Sequence, residues 1–290
     1  MARTLLITGA NGGLGLAIAV AAARADYRVY ATMRDPAKAG ALNAAMTEAG
    51  VAAQVLRLDV QDQPSVDAAV AQVLAQAGRI DVLVNNAGAG FLRTTEQARD
   101  ADIDRVIDVN LRGVIRCTRA VLPAMRAARS GRIVTISSIG GLVGQPFNEV
   151  YCAAKFGVEG FIESLATYVG PAFGIHFTLV EPGGITSAFA ATAMQQFADT
   201  GGMTEDEYLP LLRAYVAGVQ ARSGEGGSYQ TAQAVAAVVL QTLVADNPPL
   251  RIRTSPWAED MTTLKTAADP DGTRLRDMMV ARNFGTLPLP

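Results

Sequence analysis

The chain has 290 residues, of which 50% are hydrophobic, and its 25 lysines and arginines stand against 27 aspartates and glutamates. The net charge of −2 provides no basic surface for nucleic acid, and no apolar run reaches the ~18 residues of a bilayer span. These figures exclude nucleic-acid-binding and membrane-spanning classes, and they fit one large α/β domain.

The cysteines and the histidine exclude further classes of protein. Cys117 and Cys152 are too few for a disulfide framework and lack the spacing of a metal site. The N-terminus runs directly into an apolar strand, so we expect no signal peptide and a cytoplasmic location. The single histidine, His176, lies in a predicted buried strand, which argues against a histidine-based hydrolase or metal centre. No metal site is expected.

Short apolar segments alternate with alanine-rich helical segments along the chain. The predicted strands are 4–8, 28–32, 53–58, 82–85, 132–137, 176–180 and one near 250–254. The first predicted helix begins at Leu14, and the others cover about 37–49, 64–76, 100–128, 150–169 and 231–245. Strands that are apolar throughout are typical of a parallel sheet covered on both faces. The pattern predicts a single-domain α/β protein of the Rossmann type, with a doubly wound parallel sheet.

Two segments depart from this alternation. Residues 188–228 exceed an ordinary connection and hold two helix-like stretches, 190–197 and 205–220. Ligands of open α/β sheets bind beyond the carboxyl ends of the strands, so we predict that this insert is a substrate lid. A surface excursion without function is the alternative. The pattern of residues 255–290 indicates an irregular C-terminal extension, which limits the predicted catalytic domain to residues 1–254.

A glycine-rich run, GANGGLG at residues 9–15, joins the first predicted strand to the first helix. Residues without side chains let the backbone approach a pyrophosphate, and the helix N-terminus supplies N–H donors and positive potential. The run therefore predicts a nucleotide site, although a simple glycine-rich turn would have the same composition.

A tyrosine and a lysine form the most informative pair in the sequence. Tyr151 and Lys155 are four residues apart in a predicted helix, so both side chains lie on one face. A phenol beside an ammonium group can accept and donate a proton, because the positive charge stabilises the phenolate. With Ser138 and the glycine run, the pair indicates a hydride-transfer site. Taken singly, the tyrosine could fill the core and the serine could cap a helix.

These motifs resemble, in order, the motif set of the short-chain dehydrogenase/reductase family. The resemblance covers roughly the first 190 residues and rests on Thr8-Gly9-x-x-x-Gly13-x-Gly15, Asn85-Asn86-Ala87-Gly88, Asn110, Ser138, Tyr151-x-x-x-Lys155 and Pro182-Gly183. Within the family, residues 29–35 and 144–156 resemble the branch of type 1 17β-hydroxysteroid dehydrogenase and retinol dehydrogenase.

The resemblance implies roles for four catalytic residues. Tyr151 would exchange a proton with the substrate oxygen, and Ser138 would orient that oxygen by a hydrogen bond. Lys155 would lower the pKa of the tyrosine and hold the nicotinamide ribose. Asn110 would hold a water molecule that links Lys155 to a proton relay.

The end of the second predicted strand bears on the choice of cofactor. Met33 stands where an enzyme that prefers NAD usually has an acidic residue, and Arg34 can pair with a 2′-phosphate. A solvated surface arginine is the alternative, and Asp35 weakens its field. We predict NADP. Besides Arg34, Tyr151 and Lys155, the cofactor contacts implied by the resemblance are Gly9, Asn11, Gly13, Leu14, Gly15, Asp59, Val60, Asn86, Ala87, Gly88, Pro182, Gly183, Ile185 and Ser187.

The predicted substrate pocket is apolar. Its walls are expected at Phe91, Leu92, Leu142, Val143, Pro146, Phe147 and Phe189. Such a pocket favours a lipophilic ketone or secondary alcohol, reduced or oxidised with NADP(H) by a homodimer or homotetramer. Two alternatives remain: a non-catalytic NADP-binding sensor of the same fold, and a cofactor-dependent epimerase or lyase.

Overall fold

A parallel β-sheet with helices on both faces forms the fold. The computed structural model describes residues 2–224 and 226–284. Over these ranges the strands are β1 (Thr4–Ile7), β2 (Arg28–Met33), β3 (Ala53–Arg57), β4 (Val82–Asn85), β5 (Gly131–Ile136), β6 (Ile175–Glu181), β7 (Ile185–Thr186), β8 (Gln230–Thr231) and β9 (Arg251–Arg253). Seven of them form one parallel sheet in the order β3-β2-β1-β4-β5-β6-β9. The predicted fold class is confirmed.

Helices connect these strands and extend beyond the last one. In the described part of the chain they are α1 (Gly13–Arg24), α2 (Gly40–Glu48), α3 (Gln63–Ala77), α4 (Asp100–Ile107), α5 (Gly113–Ala128), α6 (Glu149–Phe173), α7 (Ala188–Asp199), α8 (Leu209–Ser223), α9 (Ala232–Val244), α10 (Pro256–Thr266) and α11 (Thr273–Phe284). Short 3-10 helices cover Pro36–Lys38 and Ile139–Gly141, and a π-helical segment covers Asp108–Arg112. The predicted helix 100–128 is therefore two α-helices joined by this π segment.

Two hydrophobic cores lie on opposite faces of the sheet. Successive side chains of β1 alternate between them: Leu6 packs with α3, α5 and α6, whereas Leu5 and Ile7 pack with α1, α2 and α9. The alternation follows from the two-residue repeat of a strand. Because both faces are covered, the loops at the carboxyl ends of the strands are the part of the sheet left for ligands.

The insert starts and ends at one small sheet. Helix α7 covers the first predicted helix-like stretch, 190–197, whereas α8 begins at Leu209, four residues later than the second predicted stretch, 205–220. Strand β7 pairs with β8 in parallel, Ile185 opposite Gln230. Strands of two residues carry no detectable periodicity, which is why the sequence did not predict them. Glu225 lies outside the described residues.

The prediction of an irregular C-terminal extension is wrong, because α10 and α11 occupy most of it. The Ser255 hydroxyl accepts a hydrogen bond of 3.1 Å from the Ala258 N–H, and Pro256 takes the first turn of α10. Both are ordinary helix-start signals. Residues 285–290 of the predicted extension lie outside the described residues.

Candidate active site

The predicted site residues meet at the carboxyl edge of the sheet. The glycine run follows β1, the Asn86–Gly88 loop follows β4, Ser138 follows β5 and Pro182 follows β6. Since β1, β4, β5 and β6 are neighbours and parallel, their carboxyl ends lie side by side. Segments far apart in the sequence thus form one continuous site.

The glycine run leaves a backbone cradle in front of α1. A Cβ on Gly15 would lie 2.3 Å from the Gly9 carbonyl oxygen, and one on Gly9 would lie 2.9 Å from the Ala87 Cα. Around Gly12, by contrast, no described atom lies within 4 Å of a Cβ position. The run is closed against the sheet and open in front of the helix N-terminus, which fits the pyrophosphate of a dinucleotide.

Hydrogen bonds between the first two loops fix this cradle. The Thr8 hydroxyl oxygen accepts from the Asn86 and Ala87 N–H groups, each at 3.0 Å. The Asn86 side-chain amide donates to the carbonyl oxygens of Thr8 at 2.9 Å and Gly9 at 3.1 Å. The Asn86 side chain therefore holds the glycine loop in place. The predicted contact of Asn86 with the cofactor is left to the main chain of this residue.

Asn110 is fully buried in the π segment, and both its amide nitrogen and its amide oxygen bond protein groups. Its Nδ2 donates to the carbonyl oxygens of Ala89 at 2.8 Å and Val106 at 2.9 Å, and its Oδ1 accepts from the Ala89 N–H at 3.1 Å. The side chain thus orients the loop after Gly88. The role in a proton relay implied by the resemblance would fall to main-chain atoms of this segment.

Ser138 and Tyr151 stand together around Gly140. The Ser138 hydroxyl accepts a hydrogen bond of 3.0 Å from the Gly140 N–H, which also confirms the cap that was its alternative role. A Cβ on Gly140 would lie 3.3 Å from Cε1 of Tyr151 and 3.4 Å from Oγ of Ser138. Glycine at this position therefore lets the serine hydroxyl and the phenol share one space.

Burial dominates the acidity of the Tyr151 and Lys155 pair. It raises the pKa of Tyr151 to about 12, and the Ser138 hydroxyl beside the phenol acts in the opposite direction. Burial lowers the pKa of Lys155 to about 8, opposed by the charge of Glu159. The Lys155 Nζ lies 5.7 Å from the centre of the tyrosine ring and donates to the Ile136 carbonyl oxygen at 2.8 Å. The resemblance implies that Lys155 lowers the pKa of Tyr151. In this structure the raising of that pKa by burial is the larger effect.

Helix α7 of the insert packs onto the site. The Phe189 ring lies 6.2 Å from the Tyr151 ring, centre to centre, and 3.8 Å from a Cβ position on Gly88. A Cβ on Gly90 would lie 2.7 Å from the Ala193 Cβ. Small residues in the loop after β4 are therefore what allows α7 to lie over the phenol.

The far end of α7 is held by Arg93, which the sequence analysis did not assign to the site. Its guanidinium donates to the Gly202 carbonyl oxygen at 2.8 Å and to the Thr200 hydroxyl at 2.7 Å, and it lies 5.3 Å from the centre of the Phe197 ring. In the sequence, the only indication that Arg93 belongs to the site is that it directly follows two predicted pocket residues, Phe91 and Leu92. The insert thus rests on the β4 loop at both ends of α7.

A cavity of about 420 Å³ opens beside the site. Its lining residues are Thr94, Thr95, Glu96, Pro146, Phe147, Glu149, Tyr208 and Leu211. Two predicted wall residues, Pro146 and Phe147, are among them, while Phe91 and Leu92 line a cleft under α7. Phe147 has a positive φ of 61°, and its N–H donates to Glu149 Oε1 at 3.2 Å. Its ring packs against the Tyr215 ring in a tilted arrangement, with the ring centres 5.7 Å apart. The sequence analysis missed Glu149, Tyr208 and Tyr215, which lack a motif.

The residues predicted for the adenosine end lie at the ends of β2 and β3. Met33 is buried and Arg34 is exposed, while the Asp35 carboxylate accepts from the Ala37 N–H at 3.0 Å and caps the helix 36–38. Asp59 Oδ1 accepts from the Gln61 N–H at 3.0 Å. The carboxylate of Asp35 is therefore engaged locally instead of pairing with Arg34.

The residues after β6 connect the site to the C-terminal extension. A Cβ on Gly183 would lie 2.6 Å from the Trp257 ring, and one on Gly184 would lie 2.0 Å from the Tyr229 ring. Farther along, the Ser187 hydroxyl accepts from the Phe189 N–H at 3.4 Å and caps α7. The segment predicted to face the cofactor is thus backed by aromatic side chains from later in the chain.

Comparisons with known proteins agree with this site. The family model described as short chain dehydrogenase matches residues 3–197. Retinol dehydrogenase 8 of Bos taurus is 41% identical over 285 residues, covering 93% of this chain and 86% of its own. The 17-beta-hydroxysteroid dehydrogenase type 1 of Homo sapiens is 37% identical over 295 residues, covering 99% and 88%. A crystal structure of an actinorhodin polyketide ketoreductase variant with NADPH superposes with a TM-score of 0.71 at 32% identity, covering 83% and 89%.

The chain belongs to the short-chain dehydrogenase/reductase family, and the predicted resemblance to the hydroxysteroid and retinol dehydrogenase branch is confirmed. It is an oxidoreductase of small-molecule alcohols or ketones that uses a nicotinamide cofactor. Across residues 2–224 and 226–284, no helix is long and apolar enough to cross a bilayer.

We expect the substitution Gly15→Ala to weaken NADPH binding by at least about ten-fold, because the new Cβ collides with the Gly9 carbonyl and displaces the cradle. Fluorescence titration with NADPH measures this loss. The control is Gly160→Ala on the exposed side of α6, outside the loop, where no described atom beyond the helix backbone lies within 4 Å of the new Cβ. Equal affinities of the two variants would contradict the assignment of this loop.

Proposed function

We propose that the protein is an NADP(H)-dependent reductase of lipophilic ketones, working in reverse as a secondary alcohol dehydrogenase. The observation that carries the proposal is the grouping of Ser138, Tyr151 and Lys155 beside an open glycine cradle. The family assignment supplies the reaction class. The residue roles, the preference for NADP and the kind of ketone are the parts that we propose.

In this proposal Tyr151 gives its phenolic proton to the carbonyl oxygen, and the bound cofactor supplies the hydride to the carbonyl carbon. The raised pKa of Tyr151 keeps the phenol protonated at neutral pH, which supports the direction of reduction. Ser138 holds the carbonyl oxygen by donating its hydroxyl proton. Lys155 places a positive charge behind the phenol, which stabilises the phenolate that remains.

We propose that residues 188–228 act as the substrate lid. Phe189 lies over Tyr151 and Arg93 holds the residues after α7, so the insert covers part of the phenol, and we propose that bound substrate completes the exclusion of water. Exclusion of water strengthens the electrostatic effect of Lys155. Substrate entry requires α7 to move away from the loop after β4.

The preference for NADP rests on Arg34. Its guanidinium is exposed at the end of β2, next to the loop that carries Asp59, and the neighbouring Asp35 carboxylate is engaged in a helix cap. An unshielded guanidinium suits the 2′-phosphate that distinguishes NADP from NAD.

Assembly and location also remain proposals. The large side chains of Phe156 and Tyr168 are exposed on α6, which supports association into a homodimer or homotetramer. Cys117 and Cys152 are free and buried, in line with the reduced cytoplasmic setting predicted from their number.

The catalytic unit is proposed to include α10, because Trp257 packs against Gly183.

Replacing Tyr151 by Phe removes only the transferable proton. We expect kcat for ketone reduction to fall by at least about a hundred-fold while NADPH affinity and the unfolding temperature stay near those of the wild type. Steady-state NADPH oxidation and fluorescence titration measure the two effects. Near-normal turnover in this variant would defeat the mechanism, and a wild type that binds NADPH but reduces no ketone would favour the sensor, lyase or epimerase alternatives.

Arg34→Ala tests the cofactor preference. We expect it to raise KM for NADPH by about ten- to a hundred-fold with little change in KM for NADH, because the charge-assisted bonds to the 2′-phosphate are lost. Arg57→Ala, another exposed arginine at the end of a neighbouring strand, is the control. A wild type that prefers NADH, or an Arg34 variant that affects both cofactors alike, would contradict the assignment.

The substrate class is tested by comparing specificity constants. Apolar walls at Phe91, Pro146 and Phe147, together with the engagement of Arg93 by the insert, leave a poor site for a small anion. We expect kcat/KM for a polycyclic or aromatic ketone to exceed that for a small keto acid by at least about a hundred-fold. A preference for the keto acid would refute this part of the proposal.

A further inference from the structure

A buried cluster of charges lies directly behind Lys155 and takes no part in the chemistry described above. Its members are Glu159 and Glu163 on α6, Glu181 at the end of β6, and Arg251 and Arg253 on β9. Arg251 Nε lies 3.3 Å from Glu159 Oε2 and 3.6 Å from Glu181 Oε1, and its guanidinium also pairs with Glu163. Arg253 lies 3.2 Å from Glu181 and 3.0 Å from Glu259 of α10. Charges in such a position need a reason, since burial is costly.

The repeat of α6 links this cluster to the proposed catalytic pair. Tyr151, Lys155 and Glu159 follow one another at intervals of four residues, so their side chains lie on one face of the helix. Lys155 donates to the carbonyl oxygen of Ile136, and the Glu159 side chain lies near Gly141, five residues after Ile136. A Cβ on Gly141 would lie 3.1 Å from Glu159 Oε1 and 2.8 Å from the Ser137 hydroxyl. Glu159 therefore stands one turn behind the ammonium, against the same strand end.

The Lys155 ammonium needs a counter-charge. The residue is 5% exposed, and the Ile136 carbonyl is its one hydrogen-bond acceptor within the described part of the chain. Burial alone favours the neutral amine, and the charge of Glu159 is the influence that raises the pKa of Lys155 again. The negative charge of Glu159 thus favours the charged form of Lys155.

Glu181 is the second carboxyl group beside Arg251, which also contacts Glu159. Its side chain is fully buried, and burial, then the charge of Glu159, raise its pKa to about 9. Among the described atoms, Oε1 of Glu181 and Oε1 of Glu159 have no hydrogen-bond partner. Burial also raises the pKa of Glu159, opposed by the Ser137 hydroxyl, by the charge of Arg251 and by a side-chain hydrogen bond with Glu181. A proton on Glu181 would make it the donor of that hydrogen bond, and the negative charge of the pair would then lie on Glu159, beside Arg251.

Other charged residues lie on the elements packed against the remaining faces of α6. Ion pairs join Arg99 with Asp102, Arg112 and Arg116 with Asp108, and Arg276 with Asp277. In the described part of the chain, the charged residues of these elements without an ion pair are Asp100, Asp104 and Arg105 on α4, Arg119 and Arg126 on α5, and Arg274 and Arg282 on α11. Glu159 lies one helical turn from Lys155 and is held by Arg251, and its charge is the one that acts on the pKa of Lys155.

We propose that Glu159 is a positioning residue, whose carboxylate keeps the buried Lys155 ammonium charged behind Tyr151, and that Arg251 holds this carboxylate in place while Glu181 carries the proton of the carboxyl pair. The proposal rests on the proposed function for its catalytic consequence, since a charged Lys155 matters only if Tyr151 transfers a proton.

The charge of Lys155 can be measured without any cofactor or activity. The chain has three lysines, and Lys38 and Lys265 are exposed, so a protein labelled with ¹³C at lysine Cε gives three signals. The variant Lys155→Arg assigns the signal of Lys155. We expect Glu159→Gln to lower the pKa of that signal by about one unit, because removal of the carboxylate charge leaves burial unopposed. An unchanged titration in the folded variant would overturn the proposal.

Three further variants separate the charge from a structural effect. Glu163→Gln removes a partner of the same Arg251 at the outer side of the cluster and should leave the Lys155 titration unchanged. Glu181→Gln replaces a protonated carboxyl by a neutral amide and should also leave it nearly unchanged. Glu159→Asp keeps the charge and should restore most of the wild-type value. A shift in Glu163→Gln equal to that in Glu159→Gln would refute the assignment, and thermal unfolding confirms that each variant is folded.

The same variants have a kinetic readout. Ketone reduction by the wild type should decline at alkaline pH as Lys155 loses its proton, and in Glu159→Gln this decline should begin about one pH unit lower. A shifted lysine titration without a shifted rate profile would uphold the electrostatic role but reject its catalytic consequence. If the wild type reduces no ketone, the proposed function fails, and the titration still decides the role of Glu159.

Discussion

The ammonium group of Lys155 is buried at the carboxyl edge of the sheet, and much of the surrounding structure serves to accommodate its charge. The end of β5 supplies a carbonyl acceptor, and Glu159 supplies a negative charge one helical turn away. That carboxylate in turn requires Arg251 from β9, at the far edge of the sheet. A single buried charge thus ties the helix that carries Tyr151 to the last strand of the chain, so the C-terminal residues contribute to the site without touching a substrate.

Close approach of the main chain is the second constraint on the site. Gly15 lies against the Gly9 carbonyl, Gly183 against Trp257 and Gly90 against α7. At each place a Cβ would come within 3 Å of another atom, so a larger residue would push apart two segments that form the site. These contacts involve the cradle, the segment after β6 and the insert respectively. The glycines therefore determine how the separate loops fit together, in addition to the shape of the first loop.

The sequence predicted most of the sheet and the grouping of the motifs, because both depend on local patterns. Continuous apolar runs identify buried parallel strands, and four-residue spacing places Tyr151 and Lys155 on one helix face. The helices of the C-terminal extension were missed because they are rich in charged residues and threonine, and because their start, Ser255-Pro256, also occurs in turns. The π segment was missed because a single wider turn hardly changes the helical repeat around it.

By itself the sequence determined the α/β class, the nucleotide cradle and the residue types available for hydride transfer, since adjacent residues encode these features. The tertiary structure decided which side chains are engaged in structural contacts and in which direction burial shifts the pKa of Tyr151 and Lys155. Asn86 and Asn110 are engaged by loops, Arg93 binds the insert, and Glu159 meets a guanidinium 92 residues away. The acidity of a group depends on burial and on distant partners, and neither can be inferred from spacing along the chain.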